Sequence, residues 1–374
     1  MKSKSRQKEI KKILMTGNEA IAQGAIDAGC RFYAGYPITP QNELTAYMAR
    51  CMPDSGGVFV QSESEVAAIN MVFGASCAGA RSMTSSSSPG ISLKQEGISY
   101  IAGAELPAVV VNIMRGGPGL GNIWPSQSDY FQATRGGGHG DYHSIVLAPS
   151  SVQEAYDLMF LAFDLADNYR NPVMVLGDGI LGQMMEPLQV TSHKSQVTGQ
   201  KAVVCLPIGK ATSQKTWALT GCEGRNPNII KSFRMKEGDL EKLNLALQKK
   251  YKAIRQKEAR FESLFLEDAK IIIVAYGTMA RIAKGAVGML RAKGKKAGLL
   301  RPITLWPFPE KVFKDLQARN SKLKTLLVTE MSYGQMLEDV KLALDGKLKV
   351  EFLGRAGGGV PTEEDIIRKA GKIL

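Results

Sequence analysis

Residues 58–90 read VFVQSESEVAAINMVFGASCAGARSMTSSSSPG, and this stretch decides the fold class. Val58–Gln61 is rich in β-branched and aromatic residues and predicts a strand, while the small and apolar residues of Glu65–Ala78 predict a helix. Ser82–Ser85 predicts the end of a second strand, and Pro89 suits the first turn of another helix. Strands that alternate with helices indicate a parallel sheet with helices on both faces.

The same alternation continues along the chain and predicts an α/β protein of two domains. Ala108–Met114 and Val173–Leu176 are continuous apolar runs, as expected of strands that are buried on both faces. Apolar residues at 240, 243, 247, 251 and 254 have helical spacing and predict a long helix. We therefore divide the chain into a basic tail (1–12), a parallel-sheet domain (13–190), a connecting segment with the long helix (191–268) and a second α/β domain (269–374).

The composition excludes several classes of protein. The net charge is +13, but the basic residues are spread out and are not interleaved with aromatic ones, so we expect no nucleic-acid partner. The apolar runs are too short to cross a bilayer, so we expect no membrane association. The five cysteines include no C-x-x-C pair, so neither an iron–sulfur cluster nor a metal site is predicted, and a reducing cytoplasm fits them best.

Glu65 is the first candidate for chemistry. It follows a predicted strand and begins a helix, where the helix dipole favours a carboxylate, and such a carboxylate can exchange a proton with a heterocycle nitrogen. The spacing Ser62-x-x-Glu65 also matches a capping box, which is a purely structural role. Glu63 is the alternative residue for either role.

The sequence Tyr36-Pro37-Ile38-Thr39-Pro40 is the second candidate, and it follows the predicted strand Arg31–Gly35. Its two prolines fix the backbone on either side of the Thr39 hydroxyl, at a strand end where α/β folds bind ligands. A structural turn is the alternative explanation of the prolines.

Arg115 is the third candidate, because it ends a buried strand and begins a glycine-rich loop, residues 116–121. A guanidinium group in that position suits a carboxylate ligand, and a structural ion pair is the alternative. The run Ser85–Gly90, SSSSPG, offers hydroxyl and N–H groups at a helix start, which suits either an anion or helix capping.

Two other motifs indicate a metal site only weakly. Gly177-Asp178-Gly179 resembles the GDG that holds magnesium and diphosphate in thiamine enzymes, but that motif needs an asparagine 25 to 30 residues later, and residues 203–209 contain none. His139, Asp141 and His143 lie close together on a glycine-rich loop, and their role stays open between a metal site, an active-site loop and a structural loop.

Several blocks of sequence together resemble the alpha-type chain of 2-oxoacid:ferredoxin oxidoreductases, and most of all its branched-chain (2-oxoisovalerate) type. They are YPITP (36–40), residues 61–90 quoted above, EGISYIAGAELPAVVVNIMRGGPG (96–119) and LGDGILGQMMEP (176–187). A weaker resemblance, VTEMSYGQM (328–336) and GRAGG (354–358), is to the transketolase C-terminal-like domain. The resemblance implies a thiamine-diphosphate pyrimidine-binding-type parallel-sheet domain followed by a transketolase C-terminal-like α/β domain.

The resemblance also implies roles for the candidate residues. Glu65 would contact N1′ of thiamine diphosphate and stabilise the imino tautomer, whose nitrogen deprotonates C2 of the thiazolium ring. Pro37 and Ile38 would contact the cofactor too, and Thr39 and Arg115 would hold the carboxylate and carbonyl groups of a 2-oxoacid. The reaction would be oxidative decarboxylation that passes electrons through iron–sulfur clusters to ferredoxin and the acyl group to coenzyme A.

Such a chain would be active only with partner subunits. Because it lacks both a complete diphosphate motif and cluster cysteines, magnesium and the iron–sulfur clusters would belong to partner chains. The partners implied are a beta-type diphosphate-binding subunit, a gamma-type subunit, a ferredoxin-like subunit and ferredoxin itself. A scaffold subunit that does not touch the cofactor, or a non-oxidative thiamine enzyme, is the alternative.

One segment departs from the pattern of related chains that use pyruvate or 2-oxoglutarate. After Arg115 those chains carry hydroxyl residues, whereas here Leu120, Ile123 and Trp124 make the segment more apolar. An apolar segment suits a branched aliphatic side chain, because each buried methylene group adds about 0.8 kcal/mol. We therefore expect 2-oxoisovalerate (3-methyl-2-oxobutanoate) as the substrate, with pyruvate or 2-oxoglutarate as the alternative.

Overall fold

A computed structural model of the chain describes residues 12–190 and 215–374. The basic tail, apart from Lys12, and the first part of the connecting segment (191–214) therefore lie outside the described residues. The strands are β1 (Lys12–Thr16), β2 (Phe32–Gly35), β3 (Val58–Gln61), β4 (Ser82–Ser86), β5 (Ala108–Met114), β6 (Ile145–Leu147), β7 (Pro172–Asp178), β8 (Met185–Gln189), β9 (Phe261–Leu264), β10 (Ile271–Val274), β11 (Ala297–Pro302), β12 (Thr304–Trp306), β13 (Thr325–Glu330) and β14 (Lys349–Gly354).

The helices occupy the segments between these strands. They are α1 (Gly17–Asp27), α2 (Asn42–Cys51), α3 (Glu65–Cys77), α4 (Ser88–Gly103), α5 (Tyr130–Thr134), α6 (Val152–Tyr169), α7 (Gly179–Gln183), α8 (Asp239–Lys257), α9 (Gly277–Ala292), α10 (Glu310–Lys314), α11 (Leu316–Arg319), α12 (Gln335–Leu344) and α13 (Glu363–Gly371). No described helix is both long and apolar enough to cross a membrane.

The first sheet has seven strands in the order β12-β6-β7-β5-β4-β2-β3, and all neighbours are parallel except β12 and β6. Every residue of the central strands β5 and β7 is buried, because helices cover both faces of the sheet. The predicted strands Val58–Gln61 and Ala108–Met114 are observed with the same bounds. The predicted α/β fold class is confirmed.

The second sheet has five strands in the order β14-β13-β10-β11-β9, with β9 antiparallel to its neighbour and the others parallel. Its central strand, Ile271–Val274, is completely buried. Helices α9 and α13 pack against each other and close one face of this sheet.

Two strands pair with strands from a different predicted segment of the chain. Strand β9 lies in the range 191–268, yet it forms an edge of the second sheet, and β12 from the second domain extends the first sheet. The predicted long helix is α8, and it buries Leu243, Leu247, Tyr251 and Ile254 in the same core as the first sheet. The sequence does not predict β1, β6, β8, β9 or β12; of these, β6 and β12 have only three residues, which is too few to show a periodic pattern.

The carboxyl ends of the two sheets meet at a buried glutamine. Gln127 follows β5 and is fully buried; its side-chain amide donates to the carbonyl oxygen of Tyr276 at 2.9 Å and accepts from the Met331 N–H at 2.9 Å. Tyr276 follows β10 and Met331 follows β13. These bonds hold the strand ends of both sheets close to one another.

Candidate active site

The candidate residues follow four neighbouring strands of the first sheet. Strands β3, β2, β4 and β5 are adjacent and parallel, so their carboxyl ends lie at one edge. Thr39 follows β2, Glu65 follows β3, the serine run 85–88 spans the end of β4, and Arg115 follows β5. This edge is the place where parallel α/β sheets bind ligands.

Glu65 is the first residue of α3, and its carboxylate does not serve the helix. The predicted capping box with Ser62 is wrong: Ser64 is the N-cap, and its hydroxyl accepts the hydrogen bond of the Ala67 N–H at 3.2 Å. Ser64 lies directly before the first helical turn, so its hydroxyl reaches the free N–H groups there, whereas Ser62 lies two residues earlier in the chain. Within residues 12–190 and 215–374 the Ser62 hydroxyl is buried without a partner.

The Glu65 side chain is only 6% exposed, and among the described residues no donor forms a hydrogen bond with its carboxylate. A carboxylate that is removed from water without donors is unfavourable, and buried polar groups are nearly always satisfied. The carboxylate therefore has free capacity for a ligand. Glu63, the alternative residue, is exposed to solvent.

Gly90 makes room for the Glu65 carboxylate at the start of α4. A Cβ atom at position 90 would lie 2.5 Å from Oε1 of Glu65 and would also clash with the Ser86 hydroxyl. The hydroxyls of Ser86 and Ser87 are buried without a hydrogen-bond partner in the described part of the chain. Glu65 therefore packs closely against Gly90, beside two buried hydroxyls that have no partner in the described part of the chain.

Arg115 and Thr39 are in direct contact. One Nη atom of Arg115 donates to the carbonyl oxygen of Thr39 at 2.9 Å, and the other donates to the carbonyl oxygen of Leu120 at 3.1 Å. The side chain is 7% exposed, its Nε atom is buried without a partner, and no carboxylate of the described residues pairs with it. The alternative of a structural ion pair is therefore wrong, and the guanidinium group is a buried cation able to bind an anion.

Ser88 links Asp129 to the backbone of Arg115, and the sequence pattern assigned it no role of its own. Its hydroxyl donates to Asp129 at 2.6 Å and accepts from the Arg115 N–H at 3.0 Å. Asn112 donates to the same Asp129 oxygen at 2.9 Å, and burial raises the pKa of Asp129. The SSSSPG run was the signal for Ser88, whereas nothing in the sequence pattern singles out Asp129.

The loop that carries Thr39 rests on a buried hydrogen-bond network. Pro37 is exposed, Ile38 and Thr39 are half-buried, and Gln41 is completely buried beneath them. The Ser85 hydroxyl donates to the side-chain oxygen of Gln41 at 2.6 Å. The network fixes the loop against β4, so the exposed Pro37 and the half-buried Ile38 and Thr39 form a rigid surface.

Asp178 of the GDG motif has a structural role as the N-cap of α7. One of its oxygens accepts the N–H groups of Ile180 and Leu181 at 2.9 and 3.1 Å, which caps α7. Among residues 12–190 and 215–374, no cluster of three or more histidine, cysteine, aspartate or glutamate side chains is arranged to hold a metal ion.

His139 and His143 belong to packing contacts away from the strand ends. His143 stacks on Trp306 with ring centroids 4.5 Å apart, and burial lowers its pKa to about 4. His139 contacts Tyr100 edge-on at 6.0 Å, and Asp141 is exposed. His143 precedes β6 and therefore lies at the amino-terminal edge of the sheet, opposite the candidate site.

Large apolar side chains are exposed on three elements: the loop after Arg115, the segment after β13, and α3. Leu120 is 81% and Trp124 63% exposed on the loop after Arg115, Tyr333 is 80% exposed after β13, and Val66 and Met71 are exposed on α3. The loop rests on the second domain, since the Asn122 amide donates to the carbonyl oxygen of Gly357 at 3.0 Å. Large exposed apolar side chains are typical of an interaction surface.

Two family models match the chain. One is described as pyruvate flavodoxin/ferredoxin oxidoreductase, thiamine diP-binding, and matches residues 23–210. The other is described as pyruvate:ferredoxin oxidoreductase core domain II and matches residues 269–366.

Two curated relatives resemble the chain over nearly its whole length. Ketoisovalerate oxidoreductase subunit VorB of Methanothermobacter marburgensis is 50% identical over 360 residues, which are 96% of this chain and 97% of the relative. The 2-oxoglutarate synthase subunit KorA of Methanothermobacter thermautotrophicus is 41% identical over 369 residues, which are 94% of this chain and 96% of the relative.

Two solved structures resemble the fold. One is 2-oxoglutarate:ferredoxin oxidoreductase from Magnetococcus marinus with 2-oxoglutarate, coenzyme A and succinyl-CoA bound (TM-score 0.84, 28% identity); the match covers 96% of this chain and 65% of that longer one. The other is a split-gene transketolase in an inactive β4 tetramer (TM-score 0.54, 12% identity), covering 96% of this chain and 97% of that one, and this likeness concerns the fold alone.

Proposed function

Because this chain belongs to the pyruvate flavodoxin/ferredoxin oxidoreductase family, we propose that it is the pyrimidine-side subunit of a 2-oxoisovalerate oxidoreductase. In the proposed reaction a 2-oxoacid is oxidatively decarboxylated, its acyl group is transferred to coenzyme A, and the electrons pass to ferredoxin. The observation that carries the proposal is the buried Glu65 carboxylate, which no donor among the described residues satisfies.

Thiamine diphosphate would bind beside Glu65. When bound, this cofactor supplies the nucleophilic carbon and the electron sink that decarboxylation of a 2-oxoacid needs. Glu65 would hold a proton at the N1′ nitrogen of the pyrimidine ring, and the unpartnered hydroxyls of Ser86 and Ser87 suit a polar ring. We assign Pro37 and Ile38 to the rigid wall that the ring packs against.

Arg115 and Thr39 would bind the substrate. The unpaired guanidinium group suits the carboxylate of a 2-oxoacid, and its buried Nε atom is a free donor. Its bonds to the Thr39 and Leu120 carbonyl oxygens fix its direction, so little side-chain freedom is lost on binding. The Thr39 hydroxyl, which accepts a bond from Asn42 at 3.3 Å, can donate to the substrate carbonyl oxygen.

Partner chains would complete the site. Asp178 is occupied as a helix cap, and the described cysteines Cys30, Cys51, Cys77 and Cys222 are free thiols, so we assign the diphosphate, magnesium and iron–sulfur sites to partners. We propose a beta-type subunit against the exposed apolar residues of α3, with gamma-type and ferredoxin-like subunits in the complex. Free thiols are consistent with a reducing cytoplasm.

The loop after Arg115 supports 2-oxoisovalerate as the substrate. Leu120, Ile123 and Trp124 are exposed in this chain and lie next to the proposed carboxylate site, where they would cover a branched aliphatic side chain. The relative with 50% identity is a ketoisovalerate oxidoreductase subunit. In the reconstituted complex we expect the highest kcat/KM with 2-oxoisovalerate; a higher value with pyruvate or 2-oxoglutarate would overturn the assignment.

Glu65→Gln tests the catalytic role. Glutamine keeps the size of the side chain but cannot take up the proton, so we expect turnover of the reconstituted complex to fall about 100- to 10,000-fold. Size-exclusion chromatography should show the complex intact. Glu63→Gln is the matched control, because Glu63 is exposed two residues away, and it should leave turnover unchanged. Normal turnover of Glu65→Gln would favour a scaffold subunit instead.

A further inference from the structure

Lys94 is a completely buried lysine on α4, and the proposed mechanism does not use it. Its side chain is 0% exposed, although lysine is among the residues least often buried without a charged partner. In the described part of the chain its one hydrogen bond is to the carbonyl oxygen of Glu65, at 3.3 Å. The ammonium group thus contacts the first residue of α3, which is the proposed catalytic residue.

The charge of Lys94 persists at neutral pH. Burial lowers its pKa to about 8, and the negative charge of Glu65 acts in the opposite direction, so the protonated form still predominates at pH 7. Of the elements packed against α4, α3 contributes Glu65, β5 has no titratable side chain, and β7 has Asp178, which caps α7. Glu96 on α4 itself is exposed.

We propose that Lys94 is a positioning residue for Glu65, acting by charge as well as by its hydrogen bond. The bond to the Glu65 carbonyl oxygen fixes the first turn of α3, and the ammonium charge attracts the Glu65 carboxylate. This inference rests on the proposed function of Glu65.

Two variants separate the hydrogen bond from the charge. Lys94→Met fills a similar volume and removes both, whereas Lys94→Gln keeps a hydrogen-bond donor and removes the charge. If the charge matters, both variants change the pH dependence in the same way. If Lys94 only supports the backbone, Lys94→Gln behaves as the wild type and the charge part of the proposal is overturned.

The expected result is a shift of the acidic limb of the pH profile. Without the cation the site loses a positive charge next to Glu65, so the acidic limb of kcat/KM in the reconstituted complex should move about one unit towards higher pH. The pH at which the amino and imino forms of the bound cofactor interconvert, followed by near-ultraviolet circular dichroism, should shift in parallel. Lys249→Met, which removes an exposed lysine from α8, should shift neither.

Thermal unfolding of the full chain provides a test that does not depend on turnover. The pKa of Lys94 is about 8 in the folded chain and 10.5 without burial, so the folded state binds fewer protons between these values. Its burial penalty is therefore complete below pH 8 and disappears as the pH rises towards 10.5. We expect the Tm of Lys94→Met to exceed that of the wild type at pH 7, by a margin that narrows up to pH 10.5.

The outcomes distinguish this inference from the proposed function. If Glu65→Gln retains full turnover, the proposed function fails, whatever Lys94 does. If Glu65→Gln is inactive but both Lys94 variants keep the wild-type pH profile, the inference alone fails. A Tm difference that is the same at pH 7 and pH 10 would show that Lys94 is not a buried cation, and this too would overturn it.

Discussion

Two glutamates lie at comparable places in the two sheets, and their surroundings differ. Glu65 follows β3 and begins α3, and Glu330 ends β13 just before α12. Glu330 is completely buried, and its carboxylate accepts hydrogen bonds from the Ser332 hydroxyl at 2.6 Å and from the Met336 and Leu337 N–H groups at 3.1 and 2.9 Å. No described donor bonds to the carboxylate of Glu65.

Two buried arginines show the same contrast. Arg301, at 5% exposure, pairs with Glu262 at 2.8 Å and with Glu154, whereas Arg115, at 7% exposure, bonds to backbone carbonyl oxygens and to no described carboxylate. Burial alone therefore does not separate structural charges from functional ones. What separates them is whether the chain itself satisfies the charge, because a folded protein retains an unsatisfied buried charge where a ligand supplies the partner.

The largest effect on folding is expected for Arg301. Arg301→Met would leave the carboxylates of Glu154 and Glu262 without their buried partner, so the free energy of unfolding should fall by about 3–5 kcal/mol. Arg281→Met is the matched control, because Arg281 forms a half-exposed pair with Glu186 and should change stability by about 1 kcal/mol or less. Chemical denaturation measures both, and equal effects would contradict the comparison.

Arg115→Met should affect activity more than stability, which is the opposite of the expectation for Arg301→Met. It removes a cation that no carboxylate in the described chain neutralises, together with its hydrogen bonds to the Thr39 and Leu120 carbonyl oxygens. Stability should therefore fall less than in Arg301→Met, whereas kcat/KM for the 2-oxoacid should drop about 100- to 1000-fold. Arg115→Lys keeps the charge but loses the two-pronged geometry, and we expect an intermediate value. A large loss of stability in Arg115→Met, with normal kinetics, would make Arg115 a structural residue like Arg301.

Glu330 should affect stability in a pH-dependent way. Burial raises the pKa of Glu330 above 4.5, so the folded chain binds this proton more tightly than the unfolded chain. Its contribution to stability is therefore complete below pH 4.5 and is lost as the pH rises through the raised pKa. Glu330→Gln, which turns an amide towards the N–H groups of α12, should cost about 1–3 kcal/mol.

The Glu330→Gln measurement is thermal unfolding from pH 4 to pH 8. The difference in Tm between the wild type and the variant should shrink with rising pH. A difference that grows with pH would mean that the charged form of Glu330 is the stabilised one, and that burial does not dominate its surroundings.

The sequence predicts which residues lie at the carboxyl edge of the first sheet better than it predicts the hydrogen bonds that they form. Glu65 and Arg115 could be found because each follows a strand with a clear apolar pattern, and adjacent parallel strands bring their ends together. Lys94 could not be found, because its neighbours on α4 are mixed and its burial depends on the packing of α3. The capping role of Ser62 was wrong because Ser64, two residues later, competes for the same N–H groups.

The smallest effect is expected for Ser88, whose hydroxyl links Asp129 to the Arg115 backbone. Ser88→Ala removes one buried hydrogen bond on each side, worth about 1 kcal/mol, so KM for the 2-oxoacid should rise about five-fold while kcat stays near the wild-type value. Ser92→Ala is the matched control, since Ser92 is exposed one turn later on α4. If Ser88→Ala lowered kcat and left KM unchanged, Ser88 would act on the cofactor side with Glu65, and Arg115 would owe its position to the Thr39 and Leu120 carbonyl oxygens alone.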